Sequence, residues 1–449
     1  MSIQTSSLNP ALRHTLANGL TVILHPIPLT DAVTVDIWVR TGGHDETAEQ
    51  LGISHFLEHM VFKGTERLAP GALDQAIEGR GGITNASTGQ DYTHYYITVA
   101  SADLADSLPY LTEVVTQPAI PAVEFDRERQ VVLEEMRRAG DSPDYLAHQS
   151  LLTQLYPDHP YGRPVLGTEE SVGSLTPEAM RDYHRSRYSP EQLTVVVVGG
   201  IDPDATLNLI TQQLGHLPPA PSTPIPPLSS QPSWTTPQPL DEIQRSDSTH
   251  PRLEQARLLM AWPTISVQDW DVACGLDLIA AVLGEGRTSR LVRLLREQRG
   301  WVRGVAAGSI VQQSGGFFSV SAHLDPSHLE VVEQAVVMAI QRLHEELISE
   351  EELNRSRRML LNEFVFSTES PSQLASLFGY YDVMGSWIGQ AEAGMSMAHR
   401  YLEQIQSLQS SHLQALARQH LNPTGYVVTT LRPERAPHSF VSSLEMAVH

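Results

Sequence analysis

Alternating and continuous runs of apolar residues predict a series of short strands in the first half of the chain. The first two strands form a hairpin, because the turn dipeptide Asn18-Gly19 separates Leu12–Leu16 from Leu20–His25. Three later runs have the length and apolar content of strands: Val33–Val39, Tyr95–Val99 and Leu193–Val198. These runs predict a β-sheet built from the first half.

Helical periodicity predicts helices at Leu104–Thr116 and Glu124–Ala139, and the second of these has a counterpart later in the chain. Ile120–Met136 aligns without gaps with Ile348–Phe364 at a shift of 228 residues. The matching positions are Ile120/Ile348, Glu124/Glu352, Arg127/Arg355, Arg129/Arg357, Leu133/Leu361 and Glu135/Glu363. Two charged helices can match by chance, but both segments also follow a strand and a helix, which favours duplication. Duplication predicts two related α/β domains.

A proline-rich stretch separates the two halves. From Leu217 to Pro239 the chain is dominated by Pro, Ser, Thr and Gln, and proline at this density favours extended chain. We predict an N-terminal domain at 1–216, a linker at 217–249 and a homologous C-terminal domain at 250–449.

Composition narrows the classes of function. A chain of 449 residues suits two or three domains, and its net charge of −22 argues against nucleic acid or an anionic membrane as the main partner. Cys274 is the only cysteine, which excludes an internal disulfide and favours a reducing compartment. The first ten residues lack the apolar core of a secretory signal, and no apolar run has the length of a membrane span. We therefore expect a cytoplasmic protein.

The stretch His55-Phe56-Leu57-Glu58-His59 carries the clearest chemical signal. Residues four apart lie on one face of a helix, so both imidazoles can bind one metal ion. The HxxEH order is the inverzincin signature, and zinc suits imidazole and carboxylate ligands. Glu58 could then act as the base that takes a proton from a zinc-activated water. The alternative is a solvated surface helix, since the chain contains 19 histidines. The second half has no HxxEH counterpart, so we expect metal only in the first.

A third ligand could come from the helix at Glu124–Ala139. Glu128 and Glu135 are seven residues apart and therefore differ by only about 20° around that helix, whereas Glu134 points roughly 100° away from Glu135. One ligand, plus a second carboxylate that holds a ligating histidine, is typical of zinc sites. Spacing alone nevertheless favours the alternative of a solvated acidic stripe.

Several motifs together resemble the M16 metallopeptidase family, in particular the subgroup of mitochondrial processing peptidase and its bacterial relatives. The first is His55-x-x-Glu58-His59, followed 76 positions later by Glu135. The others lie within Gly52–Thr65, Asn85–Tyr96, Glu128–Glu135 and His159–Gly167. The resemblance implies an α+β fold of two homologous domains, each a mostly antiparallel sheet flanked by helices, arranged as one half of a clam shell.

The resemblance also implies roles for individual residues. His55, His59 and Glu135 would bind zinc, Glu58 would be the general base, and Glu128 would assist catalysis by supporting the site. Asn85-Ala86 matches a segment leading into an edge strand, where a substrate peptide binds by backbone pairing. The alternative for Asn85 is an ordinary turn residue after the Gly81-Gly82 pair.

The second half departs from the family pattern. Family members usually carry an Arg and a Tyr seven residues apart that reach the substrate; Arg296 matches the first, but Arg303 stands in place of the tyrosine. In heterodimeric members a zinc-free partner supplies this pair, so we prefer a heterodimer with a related subunit that lacks HxxEH. A homodimer that tolerates Arg303 is the alternative.

These expectations define a leading hypothesis and two rivals. The leading hypothesis is a zinc endopeptidase that cleaves short or unfolded peptides inside a closed chamber, with basic peptides favoured by the acidic chain. The first rival is a non-catalytic structural or binding subunit, against which the complete set of ligands and base argues. The second is a metal-dependent hydrolase of small molecules, which explains neither the Asn85-Ala86 segment nor the duplication.

Overall fold

The computed structural model describes residues 11–219, 238–389 and 394–434. Most of the predicted linker, residues 220–237, lies outside the described residues. The described chain forms two mixed β-sheets flanked by helices, one sheet from each half. The predicted architecture of two α/β halves is therefore confirmed. Over the same ranges, every helix is too short or too polar to cross a lipid bilayer.

The first sheet has six strands: β1 (Leu12–Thr15), β2 (Thr21–Pro26), β3 (Ala32–Val39), β4 (Ile83–Thr88), β5 (Thr93–Ala100) and β6 (Leu193–Gly199). Their order is β1-β2-β6-β3-β5-β4, so β4 lies at an edge. Neighbouring strands are antiparallel except β2 and β6, which are parallel. The predicted hairpin joins β1 to β2, and Gly19 in its turn has a φ of +89°, which suits glycine.

Eight α-helices accompany this sheet in the described chain: α1 (Ile53–Val61), α2 (Ala72–Glu78), α3 (Leu104–Thr116), α4 (Ala122–Gly140), α5 (Pro143–Leu155), α6 (Glu169–Ser174), α7 (Pro177–Arg187) and α8 (Pro203–Leu214). The two predicted helices are α3 and α4. Phe56 of α1 packs against Phe125 of α4, with ring centroids 4.5 Å apart. Both rings are fully buried, and burying such a side chain contributes about 1.5–3 kcal/mol, so this contact fixes α1 against α4.

The second sheet has five strands: β7 (Gln244–His250), β8 (Ala256–Thr264), β9 (Val302–Val311), β10 (Gly316–Leu324) and β11 (Val427–Pro433). Its helices are α9 (Trp270–Gly284), α10 (Leu329–Glu345), α11 (Glu350–Phe366), α12 (Pro371–Trp387), α13 (Gly394–Ser407) and α14 (Ser410–His420), and a π-helical turn spans Val292–Gln298. β7 overlaps the end of the predicted linker, from Gln244 to Thr249. The prediction missed β7 because it is polar almost throughout and pairs through its backbone with β11.

The two sheets repeat the same topology. The order β7-β11-β8-β10-β9 matches β2-β6-β3-β5-β4, including one parallel pair at the same place. The shift of 228 residues that relates α4 to α11 also brings Pro143 at the start of α5 onto Pro371 at the start of α12. Ser142 and Ser370 cap these two helices in the same way. The structure thus extends the repeat beyond the segment recognised from sequence.

Each half covers the sheet of the other half with one of these equivalent helices. α12 packs Leu374 and Phe378 onto the first sheet, against buried side chains that include Trp38 and Val196. α5 and the turn after it cover the second sheet in the same way. Their side chains Leu151, Leu155, Tyr156 and Tyr161 pack against Ala261, Phe317 and Val427 of that sheet. One helix of each half therefore belongs to the core of the opposite sheet.

A buried carboxylate fixes α12 on the first sheet. Asp382 is 1% exposed and accepts hydrogen bonds from Arg13 Nε at 3.0 Å and from Arg40 Nη2 at 3.0 Å. The hydroxyl of Thr194 donates a third hydrogen bond at 2.8 Å. Because an unpaired buried charge is destabilising by several kcal/mol, these partners on β1, β6 and the end of β3 select one position for the helix.

The contact between α12 and the first sheet leaves no room for a side chain at Gly379. A Cβ atom at this position would lie 2.1 Å from Nε1 of Trp38, which is 2% exposed and stacked on His94. We expect Gly379→Ala to destabilise the protein by about 1–3 kcal/mol and to lower its Tm, measured by calorimetry. Gly140→Ala, at the open end of α4, is the control. Equal Tm values for the two variants would contradict this packing.

Candidate metal centre

The helix that carries the HxxEH motif begins at a tightly constrained point. Gly52 precedes α1 with a φ of +85°, and a Cβ atom there would lie 2.6 Å from the carbonyl oxygen of Leu166. Glu46 accepts hydrogen bonds from the backbone N–H groups of Gly52 at 2.7 Å and of Ser54 at 2.8 Å. It thereby satisfies donors that the start of a helix leaves free. Burial raises the pKa of Glu46 to about 8.

Three side chains with metal-binding atoms converge between α1 and α4. Nε2 of His55 lies 3.5 Å from Oε2 of Glu135, and Nε2 of His59 lies 3.3 Å from the same oxygen. The three ligand atoms all lie within 4.8 Å of one another. A tetrahedral site with bonds of about 2.0–2.2 Å has ligand atoms roughly 3.3–3.6 Å apart, so the two distances suit one shared ion.

Glu128 holds the other ring nitrogen of His59. Its Oε1 lies 2.9 Å from Nδ1 of His59, and its Oε2 lies 2.8 Å from Nζ of Lys63. Glu128 and Glu135 therefore face the same side of α4, as their spacing predicts, while Glu134 pairs with Arg137 at 3.3 Å. A carboxylate on Nδ1 fixes the tautomer that leaves Nε2 free to bind a metal.

The two histidines differ in proton affinity. Burial, with a smaller effect of His59, lowers the pKa of His55 to about 4, so its imidazole is neutral near pH 7. Burial also acts to lower the pKa of His59, but hydrogen bonds with Glu128 and Glu135 outweigh it and raise the pKa to about 9. A metal ion that binds Nε2 of His59 at neutral pH must therefore displace a proton.

Glu58 lies between this cluster and the edge of the first sheet. Its Oε2 accepts a hydrogen bond from the hydroxyl of Thr88, the last residue of β4. Burial raises the pKa of Glu58, although the bond from Thr88 opposes this. Glu58 is adjacent to His59 in sequence but is not part of the group of three ligands.

Asn85 and Ala86, expected to contact substrate, both lie within β4. Asn85 is therefore a strand residue and not a turn residue; its side-chain oxygen accepts a hydrogen bond from the N–H of Ala86 at 2.9 Å. These residues pair with Tyr96 and Tyr95 of β5, and the opposite side of β4 is the sheet edge. An exposed edge offers backbone groups to an extended peptide.

Arg296 and Arg303 lie on the second half. Arg296 belongs to the π-helical turn and donates to Oε1 of its neighbour Glu297 at 2.8 Å. The pairing of β9 with β10 shifts by one residue around Arg303, which is therefore the extra residue of a β-bulge and is exposed. In the described chain neither guanidinium contacts the histidine cluster.

Sequence reasoning did not assign three residues that shape this site: Glu46, Lys63 and Thr88. Lys63 lies two residues beyond the end of α1, so its contact with Glu128 depends on the turn that follows the helix. Thr88 lies within a family motif, but its contact with Glu58 depends on how β4 meets α1. Glu46 carried no signal, since its role depends on the folded path of the preceding loop.

Comparison with known proteins places this site within a family. A model described as insulinase (peptidase family M16) matches residues 21–169, and one described as the peptidase M16 inactive domain matches residues 174–360. The first match contains the whole histidine cluster, and most of the second match lies in the half without the motif. Fold and cluster together define a two-domain protein of the inverzincin type.

Similar proteins extend over nearly the whole chain. An uncharacterized zinc protease of Mycobacterium leprae is 29% identical, over 97% of this chain and 95% of its own length. A similarly named Bacillus subtilis protein is 28% identical, over 83% and 88%. The crystal structure of a protease from Helicobacter pylori matches with a TM-score of 0.87 at 25% identity, over 95% of this chain and 100% of that chain. With the two family models, these similarities show that the chain belongs to the M16 peptidase family.

The high pKa of His59 in the metal-free protein depends on Glu128. We expect Glu128→Gln to lower this pKa by about 1 or more, because a neutral amide stabilises an imidazolium less than a carboxylate does. An NMR titration of the ring signals of chelator-treated protein measures it. Glu134→Gln, on the other side of the same helix, is the control. An identical His59 titration in all three proteins would show that Glu128 does not hold this ring.

Proposed function

We propose that this chain is a zinc-dependent endopeptidase that cleaves short or unfolded peptides within a closed chamber. One observation carries the proposal: His55, His59 and Glu135 converge, and Glu58 beside them contacts Thr88 on an edge strand. The names of the relatives, which include the term zinc protease, support both the metal and the class of reaction.

The residues present fit zinc. Two imidazoles and one carboxylate are a donor set of catalytic zinc sites, which keep a fourth position for water. Burial keeps His55 neutral, and Glu128 orients His59 through Nδ1, so both Nε2 atoms can face one ion. When bound, zinc would lower the pKa of a water molecule and polarise the scissile carbonyl.

In this proposal Glu58 transfers the proton. Its carboxylate takes a proton from the attacking water and passes it to the amine that leaves when the peptide bond breaks. Its raised pKa favours the first step, because a stronger base takes the proton from the water more readily. Thr88 donates a hydrogen bond that holds the carboxylate in place. Glu128 acts through His59 and is a positioning residue.

The edge of the first sheet is the proposed binding surface for the peptide. A peptide paired with β4 would run past Thr88 and hence past Glu58. Asn85 and Ala86 would contact it through the backbone, which gives affinity with little demand on sequence. Only an extended or unfolded chain can pair in this way. The net charge of −22 further supports a preference for basic peptides.

We propose a heterodimer as the active form, in a cytoplasmic location. Arg303 occupies the place of the tyrosine that family members use with the arginine, here Arg296. A related subunit without HxxEH would supply the complete pair across the chamber. The single cysteine supports a reducing compartment.

A non-catalytic binding subunit is the competing function. The family model for residues 174–360 is named for an inactive domain, but that match leaves out the histidine cluster. Glu58 and all three ligands are present in the other half and lie together. A binding subunit has no need of a carboxylate held at this position by Thr88, so we prefer the peptidase.

Replacement of Glu58 tests the mechanism. We expect Glu58→Gln to lower kcat/KM on a quenched fluorescent peptide by about 10²–10⁴-fold, because an amide cannot accept the proton. Zinc content, measured by plasma mass spectrometry, should be unchanged. Glu49→Gln, an exposed carboxylate just before α1, is the control. An unchanged rate in zinc-loaded Glu58→Gln would reject Glu58 as the base, and loss of zinc would make it a ligand instead.

Activity of the isolated chain tests the proposed partner. We expect the purified chain to cleave the quenched peptide only weakly, and to gain activity when a homologous chain without HxxEH is added. Arg303→Tyr should raise the activity of the isolated chain, since it restores the missing half of the pair. Light scattering gives the assembly state. Full activity of a homodimer of the unaltered chain would favour the alternative, in which Arg303 itself serves.

A further inference from the structure

The second half contains a cavity at the place where the duplication puts the counterpart of the metal centre. α9 and α11 correspond to α1 and α4, and the edge strand β9 corresponds to β4. A cavity of about 310 Å³ lies among these three elements and is closed by α12 and α13. Residues from all five elements line it.

Individual residues support this correspondence. Glu363 lines the cavity from α11 and is the repeat counterpart of the ligand Glu135. Val311 lines it from the end of β9 and pairs with the first residue of β10, as Thr88 pairs with the first residue of β5. The helix that supplies histidines in the first half supplies Asp277 and Trp270 here. The equivalent place in the second half therefore has a carboxylate in the position of Glu135 but no imidazole.

The ionisable side chains with an acidic group at the cavity are Asp277 and Glu363. Burial, with additional effects of Glu285 and Glu363, raises the pKa of Asp277 to about 7. Over residues 11–219, 238–389 and 394–434, none of these three carboxylates forms an ion pair with an arginine or lysine. A cation placed in the cavity would supply the missing charge.

Aromatic rings form the walls. Trp270 lies 5.7 Å from Tyr381 and 6.3 Å from Tyr401, measured between ring centroids, and Tyr401 stacks on Phe364 at 6.2 Å. Rings around carboxylates favour a cation, because the face of each ring is negative. A guanidinium suits this arrangement best, since it is flat, stacks on rings and donates several hydrogen bonds.

Buried polar atoms without partners also point to a ligand. The Oγ atom of Ser309 is buried without a hydrogen-bond partner and belongs to a residue that lines the cavity. Nε1 of Trp270, another residue that lines the cavity, is likewise buried without a hydrogen-bond partner. Such atoms are rare in folded proteins: the Ser309 hydroxyl can accept from an N–H donor of a ligand, and the Trp270 N–H can donate to an oxygen of that ligand.

We propose that this cavity binds the arginine side chain of a peptide, with Asp277 as the charged partner and Trp270, Tyr381 and Tyr401 as the walls. The proposal rests on the proposed function for its choice of a peptide as ligand. It assigns a recognition role to the half that lacks the metal motif. The duplicated frame would then hold a metal ion in one half and an organic cation in the other.

Isothermal titration calorimetry on the full chain tests the proposal. The Glu58→Gln protein serves as parent, so that ligands are not cleaved, and the probes are two Ala/Gly/Ser peptides that differ only by one arginine or its neutral isostere citrulline. We expect the arginine peptide to bind at least about 10-fold more tightly, as a hydrogen-bonded charge pair in a half-buried site would give. Asp277→Asn should remove this difference. Asp271→Asn, an exposed carboxylate on the same helix, should keep it.

The outcomes separate this proposal from the peptidase proposal. Equal binding of the two peptides by the parent, or discrimination retained in Asp277→Asn, would overturn the cavity as an arginine site. If Asp277→Asn melts at a lower temperature than the parent, Trp270→Phe serves as the second variant, and undiminished discrimination there would overturn the proposal. The unaltered chain could cleave both peptides at one rate while the parent binds them equally. That result would support the peptidase proposal and reject the arginine site. Tighter binding of the arginine peptide, with no cleavage of either peptide by the unaltered chain, would support the arginine site and count against the peptidase.

Discussion

The structure depends on the exchange of two helices, because each sheet has a face that its own half does not cover. α12 covers the first sheet and is held there by Asp382, while α5 covers the second sheet. α5 starts only three residues after the end of α4, the helix that carries Glu128 and Glu135. The carboxylates of the metal centre are therefore anchored to both halves. A change in the relative position of the halves would act on Glu135 through this short connection.

Sequence reasoning succeeds here where the signal is local. The turn at Asn18-Gly19, the periodicity of α3 and α4 and the spacing of the HxxEH motif each concern residues that are close along the chain. It fails where the partner is distant: Asp382 bonds Arg13 across 369 positions, and apolar periodicity shows which face of α12 is buried but not what covers it. β7 was missed for a related reason, since its backbone pairing with β11 requires no apolar side chains. The candidate site could be predicted from the sequence because its residue types are chemically distinctive. Thr88 and Glu46 could not be predicted, because their contacts depend on the folded path of the chain.

Duplication explains why two related sites can differ so much in chemistry. The frame of a helix, a second helix and an edge strand is set by the topology, which both halves share. What the frame binds depends on a few side chains of the first helix: imidazoles in α1, but an aspartate and a tryptophan in α9. Glu135 and Glu363 stand at equivalent positions, yet Glu135 bonds His59, whereas Glu363 adds to the negative charge near Asp277. The carboxylate is thus common to both places, and the side chains around it differ in chemistry.

The bulge at Arg303 bears on how the second half meets a substrate. An extra residue in an edge strand turns its side chain away from the regular alternation, and such bulges often lie beside active sites. A tyrosine there could donate one hydrogen bond to a peptide carbonyl, and an arginine can also donate, from several N–H groups and with a permanent charge. Hydrogen-bonding chemistry alone therefore does not separate a partner subunit from a self-sufficient homodimer. The length and flexibility of the side chain do distinguish the two. An arginine is longer and more flexible than a tyrosine, so it holds a carbonyl less rigidly and loses more conformational entropy in doing so. In the proposed peptidase, that cost would favour a partner with a tyrosine wherever the carbonyl must be held in one position.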